Sequence, residues 1–468
     1  MSKKTINSSV LKYLSAVLFL LTCCNLKISA QDNNKVYLTL EEAISTALKK
    51  NNQLKASEYS LEKANWDSKH AWTLLIPSLN LNSRFTHIDD QTFAERDFRR
   101  YLPEEFGDQI PQTVFQESYY TSFEASMPIF NSEVFTNISV AGTSEDMAEY
   151  MYTSTRENII FQVVSSYLDV LKTREVVNLQ KEYLELSRLN YEKAERLEKA
   201  DRYSKSEALR WKVEYQTQKG VLVNSQSNLR SQNIALYRLL NMNMDENIEI
   251  VGDLSDRLKE ESEKLYNASQ EEILNMVNLS EDELLKSNSA LSVSKLNSDI
   301  SEKIHSGSYL SYLPNVSVSY SYGWRENGSL ALDDYSPKNI MVNFSMPIFS
   351  GFKNYTNVKS TYYDYKKSEE EYEDQLKNTR FMLTQTVNKI INLKTQKELS
   401  KTNVELTENN YRIVEKQKEM DLVSNIDFID AKLNLQNAKL TDVHNHYDFV
   451  IAMVELYYML GKIGQLVD

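Results

Sequence analysis

The pentapeptide S-M-P-I-F stands at Ser126–Phe130 and again at Ser345–Phe349, 219 positions further on (345 − 126). Each copy closes a stretch that opens at a proline and then alternates: Pro77-Ser-Leu-Asn-Leu-Asn in the first, Pro314-Asn-Val-Ser-Val-Ser-Tyr-Ser-Tyr in the second. Downstream the halves stay in step with a shift of 220 (410 − 190): Asn190-Tyr191 answers Asn410-Tyr411, Ser204 answers Ser424, and Tyr237 answers Tyr457. The chain therefore reads as a tandem duplication, with repeat 1 over 31–248 and repeat 2 over 249–468.

Within each window the alternation has period two. Val316, Val318, Tyr320, Tyr322 and Trp324 alternate with serines and Asn315; Ile340, Val342, Phe344 and Met346 alternate with Met341, Asn343 and Ser345. In the first copy Tyr119, Thr121, Phe123, Ala125 and Met127 alternate with Tyr120, Ser122, Glu124 and Ser126, and Leu79 and Leu81 with Asn80 and Asn82. Such a pattern makes strands with one apolar and one polar face, expected near 78–88, 118–128, 315–324 and 339–347. They could be half-buried strands of a soluble sheet. Their length and aromatic ends (Tyr119, Tyr312, Trp324, Phe349), with an export signal upstream, favour transmembrane strands facing lipid on one side and water on the other. Four strands cannot close a barrel, and an open edge has no hydrogen-bond partner in lipid. Several chains must then pool their strands, so the count alone predicts a homo-oligomer.

Punctuation is scarce elsewhere. The chain has only 7 Pro and 10 Gly, and no proline lies between Pro128 and Pro314 or after Pro347. Val163, Tyr167, Val170, Val177, Leu184 and Tyr191 are spaced by fours, threes and sevens, as are Leu440, Val443, Tyr447, Val450, Val454 and Tyr457. That is coiled-coil spacing. Long helical hairpins are expected over about 133–241 and 351–461, the first helix ~100 Å long at ~1.5 Å per residue. The hairpins break at Asp201-Arg202-Tyr203-Ser204 and Asp421-Leu422-Val423-Ser424, where each serine suits the N-cap of the returning helix. Pro128 and Pro347 are expected to end membrane strands and turn the chain into helix, because proline lacks the donor that sheet pairing needs.

The N-terminus carries Lys3 and Lys4, an apolar stretch Val10–Leu21, and Ile28-Ser29-Ala30 before Gln31. Residues 1–30 read as a cleaved signal peptide. Both cysteines, Cys23 and Cys24, fall inside it, and a rival lipoprotein reading would place a lipid on Cys24. Net charge is −13, and removal of four lysines with the signal leaves −17 (−13 − 4). An acidic chain of this kind is not built for nucleic acid. No catalytic constellation, cofactor motif or metal-ligand spacing stands out. His444-x-His446 is the one close histidine pair, and residues two apart on a helix do not share a face. Arg96, Arg99 and Arg100 beside Glu104 and Glu105, in the longer of two loops expected outside the cell, read as surface charge.

Duplication, strand–loop–strand units closed by M-P-I-F, ~100 Å hairpins and the opening run L-T-L-E-E-A-I-S-T-A-L-K-K-N-N-Q-L (Leu38–Leu54) together resemble the TolC-like outer membrane efflux protein family. The resemblance spans the mature chain. It implies an α+β membrane protein: a homotrimer whose four strands per chain make a 12-stranded barrel, continued by a periplasmic coiled-coil tunnel in the outer membrane of a diderm bacterium. It further implies docking on a periplasmic adaptor (membrane fusion) protein through the tips Asp201–Ser204 and Asp421–Ser424, and an inner-membrane pump of the RND or ABC type. The implied function is a passive exit duct for small molecules or ions. Type I polypeptide secretion and a non-conducting envelope scaffold are the alternatives, and an enzyme is the remotest reading. Ser424-Asn-Ile-Asp427-Phe-Ile-Asp430-Ala431 resembles the family's S-x-x-D-V-L-x-A tip motif, which implies that Asp427 and Asp430 form acidic rings at a cation-favouring entrance. The first tip departs from it: Glu207 matches Asp427, but Arg210 stands where Asp430 does. The usual turn glycine is replaced by Asp201 and Asp421, and a Lys418–Glu207 ion pair is an expected closing contact.

Overall fold

The computed structural model describes residues 36–107, 109–243, 248–250, 254–326, 338–420 and 422–466. The expected signal peptide, Cys24 and Asp421 lie outside them. The elements run β1 (Val36–Leu38), α1 (Leu40–Lys50), α2 (Asn52–Thr73), β2 (Ser78–His87), α3 (Asp90–Arg96), α4 (Glu104–Gly107), β3 (Glu117–Phe130), α5 (Ser132–Lys199), α6 (Lys205–Leu239), β4 (Ile248–Ile250), α7 (Asp256–Asn267), α8 (Gln270–Asn275), α9 (Glu281–Ser287), α10 (Ser289–Tyr309), β5 (Asn315–Glu326), β6 (Lys338–Ser345), α11 (Lys353–Glu419) and α12 (Asn425–Met459).

The protein is mostly helical, with one four-stranded antiparallel sheet in the order β2-β3-β5-β6 and a two-stranded parallel pair, β1-β4. The strands hand over to helices in the same lateral order: α2 leads into β2, β3 into α5, α10 into β5, and β6 towards α11. Laterally α5 packs on α2, α10 on α5, and α11 on α10. On the far side of the molecule the order is α6, α5, α12, α11. Helix α5 is thus an inner member throughout.

Composition along α5 follows its neighbours. Between Ile159 and Leu171 it buries Ile159, Ile160, Val163, Val164, Tyr167, Leu168, Val170 and Leu171, apolar nearly all round, because α1 and α12 also pack there. This waist holds the main core, completed by Phe449, Val450, Met453 and Leu456 of α12 and by Leu258, Ile273 and Leu284 from the short helices α7 to α9. The leading helical segment is broken at Asn51, whose backbone ends α1 while its side-chain oxygen accepts from the N–H groups of Gln53 and Leu54 to start α2.

Helix ends explain the hairpins. After α5, Asp201 takes the left-handed conformation (φ 53°), and the Arg202 N–H donates to Leu197 O at 2.8 Å while the Asp201 N–H donates to Glu198 O at 2.9 Å. That is a Schellman stop. Asn241 (φ 50°) after α6 and Gly461 (φ 63°) after α12 make the same stop, 220 residues apart (461 − 241). Ser204 and Ser424 then open the return helices with capping boxes.

The two S-M-P-I-F copies do not end alike. Ser126–Phe130 lies wholly within β3, with a register shift between Pro128 and Phe130 that absorbs the missing proline donor. The second copy leaves the sheet at Ser345, so Pro347 stands in the connection and not at a strand terminus. The difference lies in the partners. β3 is paired on both sides, whereas β6 pairs only with β5, which begins at Asn315 opposite Ser345. Beyond that residue β6 has nothing to bond to in this chain. Gly351 and Phe352, both left-handed (φ 61° and 65°), then redirect the chain into α11.

Candidate conduit: the polar strand face and the helical tips

Register decides what the strand alternation can do. Leu79 pairs with Ala125, Ala125 with Tyr320, and Tyr320 with Ile340; Met127 pairs with Val318, and Val318 with Val342. The apolar residues of all four strands therefore share one face. On the other, Asn80 pairs with Glu124, Glu124 with Ser321 and Ser321 with Asn339, and Ser78 continues through Ser126 and Ser319. Tyr120, Pro128 and Met341 are the exceptions on an otherwise polar wall.

The two outer strands are bare on both faces. Leu79 is 71% exposed and Ile340 77%, and every residue of β2 and of β6 is exposed. A continuous bare apolar sheet face would aggregate in water, and two unpaired edges would template further pairing. Both features are stable where lipid covers the face and other strands cover the edges.

The tips are built from hydrogen bonds that fix the helix starts. At the first, Ser204 Oγ accepts from the Glu207 N–H at 3.2 Å, and the Ser204 N–H donates to Glu207 Oε2 at 3.0 Å. At the second, Ser424 Oγ accepts from the Asp427 N–H at 3.2 Å and donates to Asp427 Oδ2 at 2.7 Å. Asp427 is therefore first a capping residue, with its carboxylate turned towards the helix start. Asp427 and Asp430 are both exposed, while Phe428 between them is buried. Asp201, Arg202, Leu422 and Ser424 are exposed, and Tyr203 and Val423 half-buried.

The expected Lys418–Glu207 pair is not formed. Among the described residues the two make no contact within ion-pair distance; the Lys418 ammonium donates to Val423 O at 3.4 Å, and Glu207 Oε1 accepts from Asn425 Nδ2 at 3.2 Å. Asn425 has taken the place of the lysine, because it is the first residue of α12 and sits level with the Glu207 turn of α6. The Ser204 backbone N–H holds the Glu207 carboxyl below the usual range, and the Lys418 charge adds to that from a distance.

What joins the hairpins is legible only in three dimensions. Trp211 of α6 and Phe428 of α12 meet with ring centroids 6.1 Å apart, Tyr411 of α11 lies 5.6 Å from Phe428, and Ala194 of α5 closes the cluster. One turn inward the seam turns polar. Lys432 of α12 is 0% exposed; its ammonium pairs with Glu214 Oε1 at 3.2 Å and donates to Ser187 Oγ. One further turn on, Gln436 Nε2 donates to Gln180 at 2.9 Å and to Gln218 at 3.1 Å, and Gln218 Nε2 returns a bond at 3.2 Å. Burial pushes the Lys432 ammonium below the ordinary lysine range, and Glu214 opposes that shift. Sequence reasoning missed this layer. Its signal is the i, i+4 pair Lys432 and Gln436 standing on the same stripe as Phe428 and Leu435.

Comparison with known proteins fits this geometry. The outer membrane efflux protein family matches residues 43–242 and 282–462, one segment from each half. No curated relative matches in sequence. Among solved structures, the Campylobacter jejuni CmeC outer membrane channel shares 16% identity at a TM-score of 0.77, covering 91% of this chain and 86% of that one. The Vibrio cholerae outer membrane protein VceC shares 15% at 0.74 (90% and 96%), and the open-state Neisseria gonorrhoeae MtrE outer membrane channel 14% at 0.72 (91% and 89%). The family match covers most of the chain, and these channels share its fold. The chain is a member of the outer membrane efflux protein family, an outer membrane protein.

Proposed function

We propose that three copies pool their strands into a closed 12-stranded barrel, four from each chain, and that the helices below continue it as a tunnel. The bare edges carry this reading: β2 of one copy meets β6 of the next, which removes both edges from lipid. The apolar face then meets the membrane and the polar face lines water. The assembled molecule is a passive exit duct, docked at its tips on a periplasmic adaptor and fed by an inner-membrane pump. Small solutes are its cargo class. Asp427 and Asp430 ring the periplasmic entrance and favour cations there. The two halves arose by duplication, which the recurring helix stops and the two-segment family match support.

Photo-crosslinking from positions 203 and 423 in cells tests the docking. Capture of an adaptor and a pump supports the duct. Capture of soluble or wall-linked envelope proteins alone points to a scaffold, and the entrance role of Asp427 and Asp430 falls with it.

A further inference from the structure

The polar strand face carries a local charge opposite in sign to the chain. Arg84 of β2 pairs across the sheet with Tyr120 of β3, and Tyr120 pairs with Arg325 of β5. Both arginines therefore stand in one cross-strand row on the polar side, two strands apart, with α-carbons about 10 Å from each other at the spacing of sheet strands. Both are exposed, and among the described residues neither forms an ion pair. Among the described residues the sole strand acid on this face is Glu124, four residues along β3 and about 13 Å away. His87, Glu117 and Glu326 stand on the opposite face. The row is within three residues of where β2 and β5 end, at the side of the sheet that carries the loops.

The space between the arginines is kept open. A Cβ at Gly323 would lie 3.2 Å from Tyr120 Cε2 and Oη, so the Tyr120 ring lies down over Gly323 and does not stand between its two neighbours. A side chain at 323 would crowd that ring and Ser122 Cβ. Two guanidinium forks on either side of this opening match an oxyanion, since arginine binds carboxylate and phosphate through paired N–H donors.

We infer that Arg84 and Arg325 form an oxyanion-binding row near the loop-side mouth, which takes phosphate-, sulfate- or carboxylate-bearing solutes in transit. The inference rests on the polar face lining water, as proposed above. With Glu124 as the one counter-charge, each chain contributes a net single positive charge to the strand wall. An acidic protein thus has an anion-favouring exit beyond its acidic tips.

Arginine labelling of the full chain in a neutral detergent tests this without any need for conduction. Phenylglyoxal modification is followed by mass spectrometry with inorganic phosphate and with potassium chloride at equal ionic strength. Phosphate is expected to slow labelling of Arg84 and Arg325 at least fivefold while leaving Arg96 and Arg100 unchanged, and Arg325→Gln is expected to abolish protection at Arg84. Equal labelling under both salts, or protection at Arg84 that survives Arg325→Gln, overturns the site. Protection by phosphatidylglycerol vesicles alone, with no effect of free phosphate, would make it a lipid headgroup contact and overturn the transit role. In planar bilayers the Arg84→Gln/Arg325→Gln variant should raise cation over anion permeability at least threefold, and no change removes the row from the conducting path. A wild-type protein that does not conduct refutes the duct reading, while labelling still decides whether the row binds oxyanions.

Discussion

Replacing Glu214 by Ala tests the buried polar layer between the hairpins. Lys432 is wholly buried, and Glu214 is the carboxylate at its ammonium, 3.2 Å away. Ser187 remains as a hydrogen-bond acceptor but brings no charge. Removing one partner of a buried pair costs about 3–5 kcal/mol, because the other charge is left uncompensated. At a tenfold change for about every 1.4 kcal/mol, local opening of α12 near Lys432 should become about 10² to 10⁴ times more frequent. Amide exchange on peptides spanning 428–440 reads this directly. The double variant Glu214→Leu/Lys432→Met removes both charges and should return exchange to within tenfold of wild type, since an apolar pair of similar volume is often neutral or stabilising. The pH dependence has a definite sign. Burial already lowers Lys432, and loss of Glu214 lowers it further, so between its folded pKa and the ordinary lysine value the unfolded chain binds more protons than the folded one. Stability of Glu214→Ala must then rise with pH across that window, with the penalty complete below the folded pKa. Exchange within threefold of wild type, or a urea midpoint that falls on going from pH 7 to pH 10 relative to wild type, would refute a charged Lys432 in the seam.

Other outcomes follow from single sites. Trp211→Ala empties the centre of the tip cluster with Phe428 and Ala194; a loss of about 3–5 kcal/mol is expected, seen as faster limited proteolysis within 195–215, and an unchanged cleavage rate would remove the cluster from hairpin docking. Gly461→Ala places a Cβ 1.6 Å from Ser287 O at a left-handed residue and should abolish assembly of the waist, whereas Gly142→Ala meets nothing within 4 Å and should stabilise α5 by about 0.5–1 kcal/mol. Comparing their thermal midpoints checks both. Asp201→Gly relieves a left-handed non-glycine residue in the Schellman turn and should stabilise by up to about 1 kcal/mol in a urea titration. Asp427→Asn/Asp430→Asn should weaken cation selectivity and block by multivalent cations in bilayer recordings, and unchanged selectivity removes both residues from the entrance.

Much of the architecture could be read from local pattern. Period-two alternation locates the four strands because one face of each is apolar and the other polar, so both chemistries are written residue by residue. Absence of proline marks the long helices, since a single interior proline would have interrupted α5 or α11. Serines 204 and 424 mark the returns because a helix start demands a side-chain acceptor. What escaped depends on partners distant in sequence. Pro128 and Pro347 sit in identical pentapeptides yet differ because β3 has two neighbours and β6 one. Glu207 bonds Asn425 and not Lys418 because the axial level of α12 against α6 decides it. The burial of Lys432 has no signal in a heptad reading, which counts apolar residues and cannot see a carboxylate 218 residues away (432 − 214). The helices α7 to α9 are short and bury only one to three side chains each, too few for a periodic signal.

The pairing of β2 with β6 between copies is the hinge of the account, and disulfide trapping measures it directly. Residues 31–468 contain no cysteine, so pairs drawn from Asn80 or Asn82 with Met341 or Asn343 can be replaced by cysteine without competing thiols. Oxidised membranes run without reductant should show a ladder of one, two and three chains that collapses on reduction, with one register dominating. Products that remain monomeric for every pair, or that run on past three chains, would contradict the closed three-copy barrel.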